Sequence, residues 1–336
     1  MKNQFRTINF KSKPSIISAY SIVGPKEKGG RLGKLFDMAL EDDRFGESTY
    51  EKAESKMLST AIKKVIKKAG YKEGDVGVMI AGDLLNQIIS ASFSARDFDV
   101  PFLGLYNACA TVAESLIVGS MAVDGGYVDN ATIGAVSHFA TAERQYRYPL
   151  ELGSVRPPQS QWTVTGCGAY FLSKNRKNCP IITSATIGKV IDFGVTDVNN
   201  MGAAMAPAAC STISLHLKST STKPSDYDLI LTGDLGALGS RIVKHLLKEQ
   251  SINVDGNHVD CGELIYNIDE KVFQGGSGAG CSASVFASYI YPKLKSGELK
   301  KVLFCATGAL LSTVSSQQGE SIPGICHAVC VESNND

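Results

Sequence analysis

The sequence carries almost no net charge: thirty-four Lys and Arg stand against thirty-three Asp and Glu, a formal +1. No global field draws such a chain to nucleic acid or to an anionic bilayer, so a polyanion would have to meet a local patch. Long hydrophobic runs are also missing. The longest apolar stretches, residues 302–311 and 116–123, reach at most half of the ~20 residues a membrane span needs, and no transmembrane helix is expected. The opening MKNQFRTINFKSKPS lacks the apolar core of a secretory signal, which predicts a protein kept on the reducing side. No CxxC pair occurs among the nine cysteines (109, 167, 179, 210, 261, 281, 305, 326 and 330), and most sit among Ala, Gly and Val as free buried thiols do. Cys326, His327 and Cys330 form the nearest cluster, and their spacing suits a core strand better than a metal site. Histidine is scarce, with five in the chain.

What is present is length and alternation. With 336 residues and 43% hydrophobic content, the chain can bury a full core and fill two ordinary domains. Helix and strand patterns alternate throughout, which argues for α/β layers around a sheet buried on both faces. Ser48 and Glu51 read as a capping box, followed by Ala53, Met57, Ala61, Ile62, Val65 and Ile66 at helical spacing, up to Gly70. Residues 76–81 then read as a buried strand.

A search for repeats finds one long, weak repeat rather than an array of short ones. DVGVMIAGDL at 75–84 is echoed by DYDLILTGDL at 226–235. After a helical stretch, the first half continues with a strand at 101–105, the run NACA at 107–110, a helix to about Gly125 and a strand ending at Ser137. Its counterpart is GAGCSA at 278–283, a helix ending near Gly297 and a strand reaching Thr307 and Gly308. The repeat implies duplication of a whole domain, with halves at 1–177 and 178–336. Packed about a pseudo-twofold axis, the halves would turn the helix starts at Cys109 and Cys281 toward a shared centre.

This arrangement resembles the thiolase and ketoacyl-synthase superfamily, in which two similar βαβαβαββ halves build a five-layer αβαβα fold. NACA at 107–110 sits where those enzymes carry their nucleophile, and 326–332 looks like their last strand. Longer blocks resemble the stage V sporulation protein AD family: 24–27, 81–87, Ser137 and His138 with 141–147, 163–166, 201–209, 229–235, 305–312 and 320–323. The resemblance implies a sporulation role, namely binding dipicolinic acid (pyridine-2,6-dicarboxylate) and its calcium chelate and helping to load it into the developing spore. It further implies membrane partners among the other stage V sporulation A proteins, with peripheral attachment on the cytoplasmic side of the forespore or spore inner membrane. No nucleic-acid partner and no cofactor are expected, calcium entering only as the chelate, and a homodimer is a possible assembly.

Cys109 at a helix start is placed where backbone N–H groups and the helix dipole favour a thiolate. Condensation also needs a base or an oxyanion donor from the second half, usually a histidine, with a second histidine or an asparagine beside it. At the corresponding places the sequence reads LTGDL at 231–235 and GGSGAGC at 275–281, with neither. Three readings follow: a retained but non-catalytic pocket, a ketoacyl-synthase-like acyltransferase using Cys109 with His138, and a structural Cys109 in a vestigial pocket. For the pocket, glycine-rich helix starts offer N–H groups to an anion, which singles out Gly276 and Gly278, with Ser137, His138 and Thr307 around them. Arg144 and Arg147 could supply forked bonds to carboxylates or form surface pairs with Glu143 and Glu151. Asp83 and Asp234 read as helix caps, or as protonated or calcium-facing ligands; the resemblance implies a ligand role for Asp83 and Cys109. Lys26, Lys28, Arg31 and Lys34, with Phe36, form a solvated loop or touch a membrane face or an acidic partner.

Overall fold

The computed structural model describes residues 6–147, 155–267 and 272–335. Glu151, offered above as a surface partner, lies outside them. In the first half the strands are β1 (Ser15–Val23), β2 (Met79–Gly82), β3 (Phe102–Gly104), β4 (Asn130–Ser137) and β5 (Gly166–Ser173). The second half has β6 (Ile181–Thr186), β7 (Leu229–Thr232), β8 (His258–Asp260), β9 (Lys301–Ala309) and β10 (Gly324–Glu332). Their order is β3-β2-β4-β5-β1 in one half and β8-β7-β9-β10-β6 in the other. Corresponding pairs are parallel or antiparallel alike, so the repeat seen in the sequence is a repeat of topology. The halves meet where Ser15 of β1 pairs with Ile181 of β6, which makes one continuous strand path.

The helices that frame the site are α1 (Tyr50–Ala69), α2 (Ile89–Ala95), α3 (Thr111–Asp124), α4 (Phe139–Tyr146), α5 (Met201–Thr220), α6 (Gly236–Glu249), α7 (Cys261–Ile265) and α8 (Ala279–Val285), beside shorter ones at Pro25–Lys28, Tyr291–Ser296 and Thr313–Gln317. α1 packs on β1, β4 and β5 from outside; α5, with α6 against it, covers β9 and β10. Between the sheets lies α3, touching β2 and β4 of its own half and β9 and β10 of the other, while α8 packs on α3 and on β1, β4 and β5. This is the five-layer order αβαβα. Being central explains the composition of these two helices. α3 buries Val112, Ala113, Leu116 and Ile117, and α8 is built from Ala279, Gly280, Cys281, Ser282 and Ala283 so that backbones can touch. A Cβ on Gly280 would stand 2.0 Å from the Gly166 carbonyl oxygen.

Local chemistry shifts several expected boundaries. α1 is capped by Thr49, whose hydroxyl accepts from the Lys52 N–H at 3.3 Å, one residue past the Ser48 box. It ends at Gly70 in the left-handed region, φ 83°. The strand expected at 76–81 starts only at Met79, because residues 73–75 form a 3₁₀ turn, matched by another at 224–226. The helix expected to run from Cys281 to Gly297 is broken into α8, a π turn at Phe286–Ile290 and a last turn at Tyr291–Ser296. Pro292 has no N–H to donate and its ring crowds the carbonyl four residues back, so the chain widens there.

All nine cysteines are free and buried. Cys326, His327 and Cys330 lie on β10, and no metal-type cluster of His, Cys, Asp or Glu occurs among the described residues. Likewise no described helix is long and apolar enough to cross a membrane. In the basic stretch, Phe36 is buried, Lys28 pairs with Glu41 and Lys26 lies 4.4 Å from the Trp162 ring centre, which leaves Arg31 and Lys34 as exposed loop cations.

Glu27, 1% exposed, accepts from the Thr165 N–H at 3.1 Å and from the Tyr266 hydroxyl. Burial lifts its carboxyl from 4.5 to about 7. The folded state therefore holds this proton more tightly than the unfolded state does, and the associated stability is lost as pH rises from 4.5 through about 7. Glu27→Gln is expected to flatten this loss, so that its thermal midpoint falls less than the wild type's between pH 5 and pH 8. Equal slopes for the two proteins would refute it.

Candidate functional site

Between the sheets a narrow cavity of about 40 Å³ is lined by Cys109, Tyr106, Tyr146, Arg147, Ser277 and Gly278, with Leu84, Ala108, Ala142, Thr163, Met201, Ala309 and Leu311. Both halves contribute, as the repeat implies. Cys109 arrives on a turn with Ala108 in the left-handed region, φ 50°, just ahead of α3. Behind that turn, His327 accepts from the Gly188 N–H at Nδ1, 3.0 Å away, and its Nε2 lies 2.8 Å from the Asn107 carboxamide. Burial lowers His327 to about 4, so it is a neutral brace for the turn and does not line the cavity.

The second half brings Asp234 and Ser277 to the cysteine. Cys109 Sγ is 4.0 Å from Ser277 Oγ, which donates to Asp234 at 3.0 Å. Asp234 is 1% exposed and also accepts from the Gly278 N–H at 3.0 Å and the Thr307 hydroxyl at 2.8 Å. These contacts reverse two expectations. The α8 helix start does not hold its N–H groups open for a ligand, because the protein's own carboxylate takes Gly278 and the Ser137 hydroxyl takes the Gly280 N–H at 2.9 Å. Nor is Cys109 poised as a thiolate: burial first, and the Asp234 charge next, push its thiol well above the ordinary value. Ionising it would set a second buried negative charge beside the first.

His138 is no base for this cysteine. Its Nδ1 accepts from the Ala140 N–H at 3.1 Å, capping α4, and its Nε2 meets the Asp43 carbonyl at 2.7 Å, with Tyr50 against the ring. Burial lowers its pKa, and it does not line the cavity. Ser137 is a pin between halves, donating to the Val164 carbonyl at 2.7 Å while holding Gly280. Gly276 stands just behind the lining, paired with Trp162 in a short parallel ladder; Gly278, φ 111°, and Thr307 serve Asp234.

The two arginines part. Arg144 is half exposed and pairs with Glu51 on the surface. Arg147, its side chain 4% exposed, lines the cavity, with Nη1 on Glu143, Nη2 3.9 Å from Met201 Sδ and Nε without a partner. Arg156 shares Glu143 at 2.6 Å. Burial lowers the Arg147 pKa, so this guanidinium stays charged at some cost and keeps an unused edge.

The equivalent aspartates also diverge. Asp83 is fully buried and accepts from the Leu85 and Ala91 N–H groups, both at 2.7 Å, so it caps the approach to α2; burial raises its pKa to about 6. Asp234 does not cap the helix that follows it; Asp260 does, accepting from Leu235 and Gly236, both at 2.9 Å. The sequence reading missed Tyr106, Tyr146, Met201 and Ser277 as lining residues. Tyr146 and Met201 lie within blocks singled out above, but only the fold brings them to Cys109.

The model of the family described as stage V sporulation protein AD matches residues 4–332. Stage V sporulation protein AD of Bacillus subtilis (strain 168) is 47% identical over 315 residues, covering 94% of this chain and 93% of that protein. The chain belongs to the stage V sporulation protein AD family. Among solved structures, this family member is similar to the tetronic acid condensing enzyme AbyA1 (TM-score 0.62, 16% identity, 95% and 99% of the two chains). It is also similar to cerulenin-bound OleA of Xanthomonas campestris (TM-score 0.60, 13% identity, 98% and 98%). A third is 3-oxoacyl-[acyl-carrier-protein] synthase III of Aquifex aeolicus VF5 (TM-score 0.56, 14% identity, 95% and 99%). These likenesses establish the thiolase-like fold of the family member.

Proposed function

We propose that this protein is a non-catalytic binding protein for dipicolinate, free or as its calcium chelate, acting in the loading of the developing spore. The observation that carries the reading is Arg147. A guanidinium with a buried, unpartnered Nε belongs to the lining of the cavity in a sporulation-family fold, and carboxylate is the group that such a side chain recognises. Against catalysis, no lining residue among those described is a histidine, aspartate, glutamate or lysine, and Asp234 opposes ionisation of Cys109. The membrane role follows from family membership alone: the protein would sit peripherally on the forespore membrane beside stage V sporulation A partners.

Titration calorimetry with dipicolinate, with and without calcium, is the test. Saturable binding that Cys109→Trp blocks by filling the cavity is expected. No response in the wild type, or unchanged binding in the filled variant, would sink the reading. The condensing-enzyme likeness makes acyl transfer the competing activity. Intact mass after incubation with acyl-coenzyme A is expected to show no adduct, and an acyl group mapped to Cys109 would favour the competitor.

A further inference from the structure

The cavity of about 40 Å³ is far below the roughly 300 Å³ at which small-molecule pockets begin, so a dicarboxylate cannot enter it as it stands. Immediately outside lies a vestibule of about 430 Å³, lined by Asn86, Gln87, Ile88, Leu310, Ser312 and Thr313. Cavity and vestibule share Tyr106, Tyr146 and Leu311, so these side chains are the wall between them. The wall is closed by hydrogen bonds rather than by packing alone. Tyr146 donates its hydroxyl to the Leu84 carbonyl and, 2.9 Å away, accepts from the half-exposed Tyr106.

The floor of the vestibule is strained. Gln87 and Ile88 sit in the left-handed region at φ 57° and 47°, an outlying conformation for a β-branched residue. Gly104 makes room for it, since a Cβ there would meet Ile88 Cδ1 at 2.2 Å. The strained pair is bracketed by the two Asp83 bonds to Leu85 and Ala91, and Leu84, the acceptor of the tyrosine bond, is the first residue of the same loop.

We infer that Tyr106 and Tyr146 form a hydrogen-bonded gate between an entry site in the vestibule and the Arg147 end of the cavity, and that a planar dicarboxylate reaches Arg147 only when the pair swings open. This rests on the dipicolinate reading for the ligand, but the gate can be tested without one. The reporter is Cys109, which lies on the far side of the gate and is 6% exposed. Its alkylation by iodoacetamide is followed by peptide mass mapping. Tyr146→Phe removes both hydroxyl bonds and is expected to speed Cys109 alkylation roughly five- to 150-fold, the factor by which losing two ordinary hydrogen bonds favours opening. Tyr106→Phe, which removes one, is expected to give a smaller rise, with Cys281 and Cys305 unchanged in both. A second arm follows dipicolinate by stopped flow: association and dissociation should both quicken in Tyr146→Phe, with Kd changing far less than either rate. Wild-type alkylation rates in both variants, or a rise shared equally by Cys281 and Cys305, would overturn the gate. A wild type that never binds dipicolinate would remove the functional reading and leave the alkylation arm to decide the gate.

Discussion

Arg147→Leu is expected to weaken dipicolinate binding at least about a hundredfold, while leaving the protein folded. The affinity loss follows from geometry. Nη1 is committed to Glu143, so the side-on edge made by Nε and Nη2 is the part of this cavity-lining residue left with only a weak contact, Met201 Sδ at 3.9 Å. Charge-assisted hydrogen bonds contribute about 1.5–3 kcal/mol each, and two parallel ones account for a hundredfold without further help. The fold survives because Glu143 is not abandoned: Arg156 holds the same carboxylate oxygen at 2.6 Å. Breaking a buried pair outright costs about 3–5 kcal/mol, and the shared partner should bring the cost nearer 1–2 kcal/mol. Arg147→Lys keeps the charge and loses the fork, so it should fall between, about tenfold weaker than wild type. Calorimetry reads the affinities and thermal denaturation the stabilities. Wild-type affinity in Arg147→Leu would show that the cation is not the recognition element.

The same residue shows where sequence reasoning stops. Topology was legible because it is written as periodicity: GDL recurs at 82–84 and 233–235, and a cysteine recurs at a helix start in each half, Cys109 and Cys281. The absence of histidine at 231–235 was legible too, and Asp234 does lie beside Cys109. Direction was not legible. Arg144 and Arg147 stand three apart on one short turn and looked equivalent, yet one reaches Glu51 on the surface and the other is buried beside Met201 from the second half. His138 looked like a base because it follows a strand end, but two backbone groups had already claimed its ring. Asp83 and Asp234 are equivalent in the repeat yet hold different partners, because residues at corresponding places differ between the halves: Ser277, Gly278 and Thr307 for Asp234, the Leu85 and Ala91 N–H groups for Asp83. Long-range hydrogen-bond choice is decided by packing, which local pattern does not encode.

Asp234→Asn and Asp234→Ala should separate the two jobs of this carboxylate. In the wild type its oxygens accept from Ser277, Gly278 and Thr307, and its charge raises the Cys109 thiol. Asparagine keeps one oxygen for the Gly278 N–H and the Ser277 hydroxyl and offers its amide to the Thr307 hydroxyl, which can rotate to accept, so the stability cost should be about 1 kcal/mol. The charge is gone, however, and with it the repulsion of a thiolate. The pH midpoint of Cys109 alkylation is therefore expected to fall relative to wild type, because removing a nearby negative charge lowers a thiol pKa. Alanine removes every acceptor and strands the Gly278 N–H at the start of α8, between the sheets. Each buried donor left unmet costs about 1–3 kcal/mol, so the sum should reach about 3–5 kcal/mol and appear as a fall of roughly 5 °C in Tm. An asparagine variant with the wild-type alkylation profile would mean that burial alone holds the thiol protonated. A lower midpoint would mean that the Asp234 carboxylate does two things at once, taking the Gly278 N–H at the start of α8 and opposing ionisation of Cys109.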